Sequence, residues 1–242
     1  MNILQTLLTE GMKGEPLPYM PRLDWVNTSL LFLCIFMVCY VLSKERSHLQ
    51  QQIRYFFSAK ERGSFFDDAT ATDMRHTLVL IFHTCILLGF CAYHYCTHSF
   101  PALLNEVNHA LLLGIFVVVM IVYMLAKWGI YSFVNWVFFD KTRNMLWVNS
   151  YFFVVIWLGL ILLPVILLVV YFSLTPSTSF LLIALAVFLA KILLFYRCFS
   201  NFFQRIYGLF HLILYFCTLE ILPDLLLWKG IILSCNNLIL NI

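Results

Sequence analysis

Charge is what this sequence has least of. Only 11% of its 242 residues are Asp, Glu, Lys or Arg, against about 25% in a typical soluble domain. Apolar residues supply 62% and aromatic ones 17%. With so little polar surface to wrap that apolar mass, a soluble globule is excluded, and the chain reads as an integral membrane protein. Catalytic signatures are missing as well. There is no HExxH, GxSxG, P-loop or GxGxxG, so zinc peptidase, serine hydrolase and nucleotide-binding readings find no support. The eight cysteines contain no CxxC, which removes the usual zinc and dithiol patterns. Cys34, Cys39, Cys85, Cys91 and Cys217 fall inside apolar stretches, where free Cys behaves as a small hydrophobe. A Cys96–Cys235 bridge is open to the chain outside the membrane, yet nothing in the spacing requires it. The N-terminal stretch lacks a basic n-region and a small-residue cleavage site. Residues 1–24 therefore read as an interfacial segment, closed by Pro16, Pro18 and Pro21.

What is present is a series of apolar runs. A spanning helix needs roughly 20 apolar residues, and the runs at about 25–43, 77–97, 108–127, 146–172, 178–197 and 209–228 qualify. Lys and Arg accumulate on the cytoplasmic side of a membrane. An outside N-terminus puts Lys44, Arg46, Arg54, Lys60, Arg62 and Arg75 in the first inner loop. It places Lys127, Lys141 and Arg143 after the third helix, and Lys191, Arg197 and Arg205 at the inner end of the fifth. The outer loops "HSFPALLNEVNH" and "SLTPSTS" carry no Lys or Arg. Both termini are thus expected in the periplasm, and the net charge of +3 is a topology signal rather than a sign of nucleic-acid binding.

Three inner segments mix aromatic rings with basic side chains: "QQIRYFFSAKERGSFF", "KWGIYSFVNWVFFDKTR" and "YRCFSNFFQRIYG". Such residues suit the headgroup boundary. They read as interfacial helices forming a collar, either an ordinary aromatic belt or a docking surface for a partner.

Ionisable groups inside a span are costly and usually face the bundle interior. Glu220 lies about 13 Å into the sixth helix, and Lys191 about 9 Å from the inner end of the fifth. Joined by a short turn, these helices are expected side by side, so a Lys191–Glu220 pair accounts for both residues; the plain alternative for Lys191 is snorkelling to the interface. Pro223 removes one helical N–H and should kink the sixth helix, leaving a carbonyl beside a carboxylate as in the broken helices of transporters. Asp224 follows Glu220 by four residues, where two ionised carboxylates repel, so either one is protonated or, the favoured reading, Asp224 reaches outer water beside Trp228 and Lys229.

The second helix carries His76, His83, His94 and His98 within about 60° of one another on its surface. His83 and His94 are read as buried imidazoles bonded to neighbouring helices, ahead of any relay role. Cys91 with His94 and His98 gives C-x2-H-x3-H, a weak metal pattern on a single helix. His83 with His211 could nearly supply one haem pair, but glycine is scarce and a second pair is missing. No cofactor, metal or haem is implied.

At "FFSAKERGSFFDDATATDMR", with Arg62, Phe65 and Phe66, and at "HLILYFCTLEILPDLL", with Tyr215, Glu220 and Pro223, the chain resembles an uncharacterised bacterial integral-membrane family, a domain of unknown function. The resemblance covers about residues 25–230. It implies a multi-pass protein of the Gram-negative inner membrane and no particular activity. Asp224 and the histidine stripe look like features of this sequence rather than of that pattern.

The expected fold is all-α: one bundle of about six transmembrane helices at 25–230 with interfacial amphipathic helices, and a short tail at 231–242. Two functions stay open. The favoured one is a non-enzymatic subunit or assembly factor of an envelope complex, docking through loop 44–75 (Arg62, Phe65, Phe66) and the collar. The other is a small proton- or ion-coupled transporter using Glu220 and Lys191, with His83, His94, His211 and Asp224 as further members of an intramembrane polar site.

Overall fold

A computed structural model describes residues 21–57, 71–100, 108–138, 141–172, 174–202 and 209–240, and all of the regular structure there is helical. After a single 3-10 turn, Pro21–Leu23, come α1 (Trp25–Phe57), α2 (Ala71–Ser99), α3 (His109–Phe138), α4 (Lys141–Tyr171) and α5 (Pro176–Phe202). The chain closes with α6 (Leu209–Phe216), a π-turn at Cys217–Ile221 and α7 (Leu222–Leu240).

Short polar residues start the helices where the apolar runs begin. Asp24 accepts from the Val26 N–H at 3.0 Å and Asn108 from the Ala110 N–H at 3.0 Å, each satisfying a donor that the first turn leaves unpaired. Pro176 opens α5, at the position where its missing N–H costs nothing.

Windows in α1 to α5 are long and apolar enough to cross a membrane. Of these, α2 is the central helix. It packs against α1, α3, α4, α5 and α7, and 67% of its apolar window is buried, against 22% in α3 and α5. Two glycines allow the backbones to close. A Cβ on Gly89 would lie 2.8 Å from Val117 Cα in α3, and one on Gly159 in α4 would overlap Thr84 of α2. Thr84 Oγ1 also sits 3.2 Å from Val155 O across that α2–α4 contact. Close approach through small residues is how helices associate in lipid, where burial alone gives little drive.

Three expectations change. The described parts of the aromatic–basic segments continue the spanning helices, because α1 runs on to Phe57, α3 to Phe138 and α5 to Phe202. Phe133, Trp136 and Phe138 form an exposed aromatic end on α3. The run expected as a sixth span is instead the broken α6–π–α7 unit, and its helix continues to Leu240, so much of the stretch expected as a tail is helical. Finally, Cys96 of α2 and Cys235 of α7 form a disulfide across 139 positions.

Candidate functional site

The break in the last helix builds the site. In place of the simple kink expected at Pro223, the Leu222 N–H reaches back to Cys217 O, a π-type bond. This widens the turn just before the proline, which has no N–H to give to the ladder itself. Glu220 lies in that π-turn and Asp224 in the first turn of α7, and both side chains reach toward α3 and α5.

Four charges meet there. Lys127 Nζ of α3 lies 2.6 Å from Glu220 Oε2 and 3.2 Å from Asp224 Oδ1. Lys191 Nζ of α5 bonds Glu220 Oε2 and lies 2.5 Å from Asp224 Oδ2. Each ammonium thus bridges both carboxylates. Tyr131 donates its hydroxyl to Glu220 Oε1, and Tyr123 donates to Asp224 Oδ1. The Lys127 ammonium also sits 5.5 Å from the centre of the Tyr123 ring. Two lysines balance two carboxylates, which resolves the repulsion between Glu220 and Asp224 without sending Asp224 away to water alone. Exposure is graded across the ring: Glu220 0%, Lys127 4%, Lys191 25%, Asp224 37%.

One helical face of α3 supplies much of this. Tyr123, Lys127, Tyr131 and Asn135 recur every four residues, so they stack along one side of the helix. Beyond Tyr131 the column becomes aromatic. Its ring lies 5.4 Å from Trp147, 5.3 Å from Tyr151 and 6.2 Å from Tyr215. Tyr215 donates to Asn135 Oδ1 at 2.7 Å, and Asn135 Nδ2 donates to Asn144 Oδ1 at 3.3 Å. The arrangement can hold or pass a proton among its carboxylates, ammonium groups and tyrosine hydroxyls, and Asp224 is the most exposed of its four charges.

Lys127 is the residue that the sequence reading placed elsewhere. It ends the apolar run 108–127 and so reads as an inner-loop cation; in the fold it is buried in mid-helix. The signal for it was the four-residue recurrence of polar groups within an apolar helix.

The histidines stand apart from the ring. His83 is fully buried, and neither ring nitrogen has a hydrogen-bond partner among the described residues, unlike the bonded imidazole expected there. His94 is buried too, and its Nε2 is likewise unpartnered. His76 is buried, with its ring 5.8 Å from that of Tyr40. The side chain of His211 lies outside the described residues, as do Arg62, Phe65 and Phe66. Among the described residues, no three His, Cys, Asp or Glu side chains converge as a metal centre.

Neither the curated proteins nor the solved structures provide a match to this chain. A family model does: it covers residues 27–231, from the third residue of α1 to the middle of α7, and takes in every member of the charged ring. The chain belongs to the DUF4271 family, a domain of unknown function.

Proposed function

We propose that this membrane protein is a proton-coupled translocator whose working site is the Lys127–Glu220–Lys191–Asp224 ring. One observation carries the reading: a fully buried carboxylate at a helix break is joined through two ammonium groups to a second carboxylate that is 37% exposed. Four charges brought together only to fasten helices would gain little over a well-packed apolar contact, whereas broken helices at mid-depth are where transporters bind their coupling ions. The resemblance implies the bacterial inner membrane as the setting, and the Lys and Arg distribution supports an orientation with both termini on the periplasmic side. The Cys96–Cys235 disulfide agrees with that orientation, since such bonds persist on the oxidising side.

The test is proton uptake by purified protein in liposomes holding a pH-sensitive dye. After an external acid jump, parent liposomes should acidify faster than empty ones, and Glu220→Gln liposomes should behave as empty ones. Equal rates for the parent and the variant overturn the reading. The subunit or assembly-factor alternative rests on loop 44–75, most of whose core lies outside the described residues, and the geometry of the ring does not bear on it.

A further inference from the structure

We propose that His94 and His98, at the C-terminal end of α2, form a binding site for a divalent transition ion of the Zn(II) class. The site is independent of the charged ring and of the function assigned to it. The two histidines are four residues apart, so they share one helical face, and two histidines at this spacing can grip one zinc ion. Their ring centres lie 5.0 Å apart with the planes near perpendicular.

Three features single out this pair from an ordinary stacked couple. His94 is only 7% exposed, and its Nε2 has no hydrogen-bond partner among the described residues. A buried ring nitrogen left in that state is costly, and a metal ion would satisfy it. His98 is exposed, which gives an ion in the surrounding water a path to the pair. Phe180 of α5 walls the other side, with its ring 5.8 Å from His94 and 6.3 Å from His98.

The neighbouring candidates do not join them. His109 is taken up by the Tyr93 hydroxyl at 3.2 Å. Cys91, one turn before His94, does not complete a three-ligand group. Two imidazoles therefore supply the protein ligands, with water in the remaining positions of a tetrahedral ion. Imidazole ligands of this kind suit Zn(II), Ni(II) or Cu(II) rather than Mg(II) or Ca(II).

Zinc alone is the probe, titrated calorimetrically into the full chain purified in detergent without an oligohistidine tag. The parent should show saturable binding, and both His94→Gln and His98→Gln should lose it. His98→Gln is the decisive variant, because an exposed side chain can be changed without disturbing the core. Cys91→Ser should bind as the parent does. A parent that takes up no zinc, a His98→Gln variant that titrates like the parent, or loss confined to Cys91→Ser would each overturn the site.

Discussion

Lys127 of α3 and Glu220 of the π-turn stand 93 positions apart in the chain and 2.6 Å apart in the fold, both almost wholly buried. Removing one partner of such a pair strands the other in a medium that cannot solvate it. Lys127→Met should therefore lower unfolding stability in detergent by on the order of 3–5 kcal/mol. Lys191→Met should cost less, since Lys191 is 25% exposed against 4% for Lys127, and a charge nearer solvent contributes less to stability. Thermal denaturation of the two variants side by side gives the order. A Lys191→Met protein less stable than Lys127→Met contradicts it.

Packing around α2 gives a second prediction. Gly159→Ala and Gly89→Ala each force a methyl group into a neighbouring helix, and overpacking of this kind costs about 1–3 kcal/mol. Gly114→Ala meets nothing within 4 Å and should leave the melting temperature unchanged or slightly raised. Equal melting temperatures for all three variants would mean that α2 does not approach α3 and α4 closely.

Orientation can be read by thiol labelling. Ser177 lies before the first buried turn of α5 and Lys44 at the far end of the apolar window of α1, and both are exposed. In a variant with its free cysteines removed, Ser177→Cys should react with an impermeant reagent in intact cells and Lys44→Cys should not. The reverse labelling would invert the assignment and place Cys96 and Cys235 on the reducing side. In addition, a peptide pair containing Cys96 and Cys235 should be recovered linked under non-reducing conditions.

How much of this was legible in the sequence differs from residue to residue. Lys191 and Glu220 could be paired on paper because consecutive antiparallel helices are usually neighbours, and depth along each helix follows from 1.5 Å per residue. Lys127 could not be placed in the same way. It belongs to a helix two elements earlier, and a cation at the edge of an apolar run looks like the start of a loop. Only the recurrence of Tyr123, Lys127, Tyr131 and Asn135 marked α3 as continuing. Asp224 reads as reaching outer water because it would repel Glu220 and lies beside Trp228 and Lys229; a second lysine, Lys127, removes that repulsion in the fold. The Cys96–Cys235 bridge depends on α7 continuing beyond Trp228, which polar Lys229, Asn236 and Asn237 concealed. The π-turn is a tertiary outcome, since Pro223 demands some break but does not choose its form.

The ring itself makes the strongest prediction, because its arithmetic differs from that of a single ion pair. Two ammonium groups each touch both carboxylates, so in a medium of low dielectric the balance of charge matters more than which partner is removed. Any single neutralisation among Lys127, Lys191, Glu220 and Asp224 should destabilise the protein. Doubles of opposite sign should recover part of the loss, Lys127→Met with Glu220→Gln and Lys191→Met with Asp224→Asn alike. The same-sign double Lys127→Met with Lys191→Met leaves two carboxylates four residues apart with only tyrosine donors, and it should be the least stable of the set. Thermal denaturation in one detergent ranks all of them in a single series. If the same-sign double is no worse than Lys127→Met alone, the four groups do not act as one charge-balanced unit. In that case the site reduces to the Lys127–Glu220 pair, with Lys191 and Asp224 as its solvated neighbours.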